Sequence, residues 1–373
     1  MKIGILGGGQ LARMIIEECN KYAFEFHVLS NEKNSPAGQI TKFETEGDWN
    51  DEKTLIEFAK NCDIITLENE FIDHKKLKAI EDTGKKVFPC SENIKLIQDK
   101  FIQKKTLQAN DIPVAEFTEV KDLSDVKKFA EEFGYPLILK SRTMGYDGKG
   151  NFTVNTEDDI TKGINELKER GELMCERFVN FEKEIATQVV RNTSGEIKVY
   201  PVVETIQKDH ICELVISSGQ FEGQIESKVN DIAKKIVTEL NYTGVMGIEM
   251  FLNGNEILVN ELAPRVHNSG HYTIEGTYTS QFENHIRAVM DLPLGNTNRS
   301  SANSIMINLL GKREGESRLK RAGVVLANEN TYLHMYGKKQ TRHGRKMGHI
   351  TVLNNEIQKG IDTAYTAAAE LDF

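Results

Sequence analysis

The sequence is poor in several things, and each shortage narrows the reading. Its five cysteines (Cys19, Cys62, Cys90, Cys175 and Cys212) are odd in number, scattered and free of C-x-x-C spacing. That excludes a disulfide framework and a thiolate zinc site, and it predicts a reducing compartment, the cytoplasm. No apolar run approaches the roughly 20 residues that span a bilayer, so no membrane partner is expected. The opening MKIGILGGGQLA lacks a basic leader and a cleavage site, so no secretory signal is expected. Basic residues are outnumbered, 47 Lys and Arg against 56 Asp and Glu, a net charge of −9. That balance argues against nucleic acid as a partner. Any anion this chain handles must meet a local cluster of cations. There is no internal repeat and no low-complexity segment.

What remains is the composition of a globular protein, 39% apolar and 28% charged over 373 residues, enough for two or three domains. Residues 2–6 form an apolar run that ends in Gly7-Gly8-Gly9. A helical pattern (Leu11, Met14, Ile15) and a second apolar run, Phe24–Leu29, follow. Helix Lys53–Lys60 and strands Asp63–Leu67 and Lys85–Phe88 continue the alternation, which predicts a parallel α/β domain over 1–95. A helix Ile94–Ala109 ends at Asn110-Asp111-Ile112-Pro113. Beyond it the texture is α+β, with strands Leu137–Lys140, Phe152–Val154, Leu173–Phe178, Glu184–Arg191, Ile197–Glu204, Gly244–Leu252 and Glu256–Glu261. Helices at Asp158–Arg170 and Ile225–Leu240 separate them. A second domain is expected over 96–295, with a subdomain at about 115–180. A small α+β domain of short strands and a helix is expected over 296–373.

Gly7-Gly8-Gly9-Gln10-Leu11-Ala12 fits G-x-G-x-x-A between a strand and a helix. Free N–H groups at such a helix start suit an anion. A dinucleotide site, another anion site and a merely tight turn all remain open, because the next strand ends in the ambiguous Leu29-Ser30-Asn31-Glu32. A second loop, Lys140-Ser-Arg142-Thr-Met-Gly145-Tyr146-Asp147-Gly148-Lys149-Gly150, lies between two strands and carries three glycines and three cations. It reads as a flap over a polyphosphate, with Lys140 as a fixed charge on the buried strand. The strand Glu172–Val179 leads into a linker that suits an adenine edge, with Glu184 placed for ribose hydroxyls. An ordinary core strand is the other reading of that segment.

In the stretch 244–261 two strands flank Asn253-Gly254-Asn255; Glu249 is the only acid on the first and Glu261 ends the second. A three-residue loop, 254–256, would pair 253 with 257 and set Glu249 against Glu261. Two carboxylates so close need a cation between them. With no Cys or His in the pair, that cation is Mg²⁺ or Mn²⁺. A two-residue Asn-Gly loop would put the acids on opposite faces. The loop that follows holds Arg265 and His267, suited to charge stabilisation and proton transfer. Near the end, Lys338, Lys339, Arg342, Arg345 and Lys346 form a basic cluster around a hairpin-like segment bracketed by Gly337 and Gly344. It reads as a phosphate pocket in which Lys339 and Arg345 meet across a turn; a solvated charge run is the other reading.

The flap Gly145–Gly150, the segment Glu176-Arg177-Phe178-Val179 and the run Asn260-Glu-Leu-Ala-Pro-Arg265-Val-His267-Asn-Ser-Gly-His271 resemble the ATP-grasp superfamily. More narrowly, they resemble its N5-carboxyaminoimidazole ribonucleotide synthetase family. The opening Gly7–Met14 and the late Gly344–His349 are similar to that family too. The resemblance implies an ATP-grasp fold, with an N-terminal parallel pre-ATP-grasp domain and a small C-terminal domain, in a homodimer. It implies ligation of bicarbonate-derived carboxylate to 5-aminoimidazole ribonucleotide at the expense of ATP, in purine biosynthesis. Contacts to ATP would come from Lys100, Lys140, Gly145, Tyr146, Asp147, Gly148, Lys149, Gly150, Asn151, Glu176, Arg177, Phe178, Val179, Glu184, Gln207, Asn260 and Glu261. The metal would sit on Glu249 and Glu261. The ribonucleotide would meet Gly9, Gln10, Leu11, Tyr146, Lys339, Arg345 and Lys346, and Asp147, Arg265 and His267 would serve catalysis. Ala12, Met144 and Gln207 depart from the family pattern, Gln207 standing where a His is expected. The rival readings are a sister ligase using formate or an amino acid, and an NAD-binding protein or nucleotide sensor built on the first loop alone.

Overall fold

The computed structural model describes residues 1–143, 145, 150–371 and 373. Tyr146, Asp147, Gly148 and Lys149, all expected in the site, lie outside the described residues.

The N-terminal alternation folds as the pattern predicts. Five strands form a parallel sheet in the order Phe43–Glu46, Glu25–Ser30, Lys2–Leu6, Ile64–Leu67, Lys86–Phe88. The strand Phe43–Glu46 was not expected; only one of its four residues is apolar, and it lies at the sheet edge. Chain order reverses between Lys2–Leu6 and Ile64–Leu67. In open parallel sheets the crevice beyond the strand ends at such a reversal is where ligands bind. Here it is bounded by Gly7-Gly8-Gly9 and by Glu68-Asn69-Glu70.

The expected helix Ile94–Ala109 is two helices, Ser91–Gln98 and Lys100–Ala109. Asp99 breaks it. Its backbone is extended, and its carboxylate caps the second helix by accepting from the N–H groups of Phe101 and Ile102. The same carboxylate binds the Arg142 guanidinium. The break puts Lys100 at a helix start instead of mid-helix.

A four-stranded antiparallel sheet, ordered Phe117–Val120, Leu173–Arg177, Leu137–Ser141, Asn151–Val154, forms a small layer under helices Leu123–Phe133 and Asp158–Leu167. Lys140 pairs with Asn151, so the second glycine loop does join two antiparallel strands.

The remaining long strands form one nine-stranded sheet. The expected strand Ile197–Glu204 is interrupted. Ile197–Val199 and Val203–Lys208 pair separately with Lys183–Arg191, and Pro201, which has no N–H to give, lies in the gap. Strands after residue 300 are not all short. Asn303–Leu310 and Lys346–Asn354 have eight and nine residues, and the former pairs with Ile211–Ser217. The sheet therefore continues across residues 295–303. Helix Ile357–Glu370 packs on it, burying Ala364 and Ala367. Among the described residues no helix is long and apolar enough to cross a membrane.

Candidate active site

The hairpin of strands Gly244–Asn253 and Glu256–Ala263 corrects the expected loop. The turn has two residues, Gly254 and Asn255, with Gly254 at φ 55°, and Asn253 pairs with Glu256. That register alone would set Asn260 opposite Glu249 and turn Glu261 to the other face. A bulge restores the juxtaposition by another route. Met250 pairs with Val259 but Glu249 pairs with Glu261, leaving Asn260 as the extra residue.

Both carboxylates line a cavity of about 510 Å³, with Asn260, Arg265, His267 and Glu184. Burial, then Glu261 and Glu184, push the Glu249 carboxyl up to about 7. Glu261 is ion-paired to Lys100. The donors at the pair are carboxylate oxygens with the amide of Asn260 beside them, and Glu249 is held at the cost of its charge. A hard divalent cation fits both facts. No three His, Cys, Asp or Glu side chains converge as a metal cage among the described residues. An ion here would complete its shell from phosphate and solvent.

Below the cavity lies a chain of charges. Glu176 is 3% exposed. Its carboxylate meets Lys140 Nζ at 2.9 Å and Lys104 Nζ at 3.3 Å. Burial opposes the charge of Lys140, but Glu176 with Glu261 and Glu249 more than restores it, so its pKa is raised. Glu176 was expected among the ATP contacts; its side chain faces inward and holds Lys140. The Arg177 N–H donates to Glu116 O and its side chain pairs with Glu116. Phe178 is 40% exposed. Glu184, its carboxyl raised by burial, bonds to Gln207, so the residue at the expected His position holds this acid. His210 lines the same cavity.

Arg265 is forked to Glu70, Nε to Oε2 and Nη2 to Oε1, the latter at 2.6 Å. Burial alone would raise the Glu70 carboxyl, but Arg265 outweighs it and the pKa is lowered. His267 is held neutral, first by burial and then by Arg265 and Lys346. Its Nδ1 lies 2.9 Å from Ser269 Oγ and accepts from Ser269 N–H at 3.4 Å. A backbone N–H only donates, so Nδ1 is the acceptor and Nε2 carries the proton. Nε2 points at Glu249 Oε1, 3.6 Å away.

Gln10 and Leu11 of the first glycine loop line the same cavity. The expectation that its helix start is open to an anion needs correction. Gly9 N–H donates to Glu68 Oε1 at 3.0 Å and Ala12 N–H to Oε2 at 3.4 Å. A half-buried carboxylate of the protein already occupies part of that anion position.

The basic segment packs on the loop after strand Glu25–Ser30, which in turn touches the first glycine loop through Ala37 N–H to Gly8 O at 3.0 Å. Gln39 Nε2 donates to Gly337 O at 2.8 Å, and Lys339 Nζ to Lys33 O at 2.7 Å. Lys339 and Arg345 do not pair across a turn as expected. Lys339 reaches the N-terminal domain, and Arg345 donates to Gln340 O at 2.6 Å. Lys338 Nζ donates to Lys346 O at 2.7 Å, within electrostatic reach of Arg345. Burial and then Arg345 bring the Lys338 pKa down to about 7, with Glu68 opposing. Lys346 lines the cavity with the glutamates. A separate hollow of about 660 Å³ beside 315–319 holds Lys338 and Lys339 but none of the acids of the pair.

Sequence reasoning missed Glu68, Glu70 and Lys104; it named Lys338 only as one of the basic cluster. Glu68 and Glu70 carried a usable signal, since they follow a mostly apolar parallel strand on the reversal side of the sheet.

Three family models cover the chain in turn. The ribonucleotide synthetase preATP-grasp domain matches residues 1–98, the ATP-grasp domain 105–282 and the phosphoribosylaminoimidazole carboxylase C-terminal domain 304–362. N5-carboxyaminoimidazole ribonucleotide synthase of Bacillus subtilis is 39% identical over 353 residues, 94% of this chain and 91% of that protein. The chain belongs to the N5-carboxyaminoimidazole ribonucleotide synthase family. Phosphoribosylaminoimidazole carboxylase of Schizosaccharomyces pombe is 40% identical over 365 residues, 96% of this chain but 66% of that protein. The chain thus spans about two thirds of the length of the fungal carboxylases it matches (66%, 67% and 64% for three of them). The crystal structure of N5-carboxyaminoimidazole ribonucleotide synthetase from Thermotoga maritima superposes with a TM-score of 0.89 at 41% identity, covering 100% of this chain and 98% of that one. The synthase of Aspergillus clavatus, in complex with ADP and 5-aminoimidazole ribonucleotide, does so at 0.89 and 36%, covering 99% and 98%. These family members share the three-part architecture and the ATP-grasp core that the chain's motifs predicted.

Proposed function

We propose that this chain carboxylates the exocyclic amine of 5-aminoimidazole ribonucleotide, using ATP and bicarbonate, and yields the N5-carboxyamino product of purine biosynthesis. One observation carries the reading. A single cavity is bounded by the paired acids Glu249 and Glu261 and by Gln10 and Leu11 of the first glycine loop. A phosphoryl donor on one side and a ribonucleotide on the other would meet there. The ligands of the Aspergillus clavatus structure, ADP and 5-aminoimidazole ribonucleotide, support it.

In the first step a bicarbonate oxygen attacks the γ-phosphorus and the bond to ADP breaks. In the second the amine nitrogen attacks the carboxyl carbon of carboxyphosphate, directly or as carbon dioxide; phosphate leaves and the amine loses a proton. Phosphoryl transfer asks for positioning and charge neutralisation more than for a covalent nucleophile. Lys140, fixed by Glu176, and Lys100, beside Glu261, supply fixed positive charge. Mg²⁺ or Mn²⁺ on Glu249 and Glu261 would neutralise phosphate oxygens. Arg265, held flat by Glu70, faces the same space and stabilises charge on the carboxyl. Neutral His267 with its proton on Nε2 is a hydrogen-bond donor there, which leaves Asp147 as the acceptor of the amine proton. Lys338, Arg345 and Lys346 take the 5′-phosphate of the ribonucleotide. The units proposed to do this are 1–95, 96–295 and 296–373, in a cytoplasmic homodimer.

ADP release measured with each substrate omitted in turn tests the reading. ADP formation that requires both bicarbonate and the ribonucleotide is expected. ADP formation that follows formate or an amino acid instead points to a sister ligase.

A further inference from the structure

The strand Glu256–Ala263 is the edge of the nine-stranded sheet. Along an edge strand alternate N–H groups point away from the partner strand. Val259 N–H points outward and donates to Pro113 O at 2.8 Å. Regular alternation would send the N–H of Glu261 out next and keep that of Leu262 inside the ladder. The bulge at Asn260 reverses the phase, so the N–H of Leu262 comes out instead. Leu262 is 3% exposed, and a buried N–H without an acceptor is costly.

Gln103 supplies that acceptor. Its Oε1 accepts from Leu262 N–H at 3.1 Å, and its Nε2 donates to Ile97 O at 2.9 Å. The side chain is 3% exposed, and with both ends engaged the amide has one orientation. Gln103 lies three residues after Lys100 and one before Lys104 on helix Lys100–Ala109, so the three side chains share a face. Lys100 pairs with Glu261 of the large sheet and Lys104 with Glu176 of the small one.

We propose that Gln103 is a positioning residue whose side-chain carbonyl locks the bulged register and so turns Glu261 toward Glu249. It touches neither nucleotide nor acceptor. The competing register, without the bulge, pairs Glu249 with Asn260 and has no use for an acceptor at position 103. The proposal rests on the reading of Glu249 and Glu261 as a cation-binding pair.

Two variants test it, Gln103→Met, which keeps the volume without the carbonyl, and Gln103→Asn, which withdraws the carbonyl by one methylene. Two quantities are measured on each: Mn²⁺ affinity in the presence of ADP, by electron paramagnetic resonance, and amide hydrogen exchange at Leu262 and Val259. Mn²⁺ affinity is expected to fall at least about tenfold, and exchange at Leu262 to quicken by about tenfold or more while Val259 stays protected. A folded variant with the parent's Mn²⁺ affinity and an equally protected Leu262 overturns the proposal. If Gln103→Met does not fold, Gln103→Asn decides by the same two outcomes. If the parent protein binds no Mn²⁺ with ADP, the cation-pair reading fails. Exchange at Leu262 in the variants still decides whether Gln103 holds the bulge.

Discussion

Glu261 has two partners of opposite kind, the Lys100 ammonium and the Glu249 carboxylate, and its charge is the variable that sets the site. Glu261→Gln removes that charge with little change of shape. Turnover at saturating magnesium is expected to drop by on the order of a hundredfold, the scale of one lost charged contact, with the fold intact. An unchanged rate would take the metal away from this pair. The proton assignment is tested by comparing two other variants. His267→Gln, which still offers an N–H, is expected to stay within about tenfold of the parent, and Asp147→Asn to lose about a hundredfold or more. The reverse ranking would make His267 the acceptor. Arg345→Ala, together with Lys338→Ala, probes the phosphate pocket. Each is expected to raise KM for the ribonucleotide roughly ten- to a hundredfold and to leave KM for ATP alone, because the contact is remote from the chemistry. A rise in KM for ATP instead gives these cations to the nucleotide.

Two elements show how local chemistry fixes long-range geometry. Helix Gln281–Val289 carries His285, whose Nδ1 accepts from Val245 N–H at 3.1 Å and whose Nε2 lies 2.7 Å from Thr66 Oγ1. The ring thus pins the large sheet to the N-terminal one, and it does so only when neutral. Burial brings its pKa down to about 4. Between about pH 6.5 and 4 the unfolded chain therefore holds a proton that the folded chain refuses, so stability rises with pH across that window and falls on acidification. The slope for one such group is at most about 1.4 kcal/mol per pH unit. Urea unfolding at pH 7 and pH 5 should show the loss, and His285→Gln should show less of it; an identical slope in the variant would place the acid sensitivity elsewhere. The hairpin that carries the two acids is the second case, and there the sequence was only half legible. The turn residues and the alternation pointed to two strands with Glu249 and Glu261 near each other. The bulge at Asn260 was not readable, because the acceptor that stabilises it, Gln103, comes from a helix more than 150 residues away in the chain. In the same way the segment around Glu176 read either as an adenine-side strand end or as an ordinary core strand, and the pairing of Glu176 with Lys104, buried on that helix, was not visible locally.

At the scale of the molecule, the parallel sheet, the small antiparallel layer and the long sheet each send residues to one place. The N-terminal sheet brings Glu68 and Glu70 to the reversal of strand order, the small layer brings Lys140, and the long sheet brings the acid pair, Arg265 and His267. The separate motifs were visible in the sequence because glycine loops and acids on apolar strands leave local marks. Their convergence was not, apart from what the family resemblance implied. The central claim is that bicarbonate is activated here by taking the γ-phosphoryl group of ATP. Turnover with ¹⁸O-labelled bicarbonate and the ribonucleotide tests it most directly. One labelled oxygen should appear in the inorganic phosphate of each turnover, carried there by the oxygen that attacked phosphorus. Phosphate without label, formed alongside ADP and carboxylated product, would contradict the account.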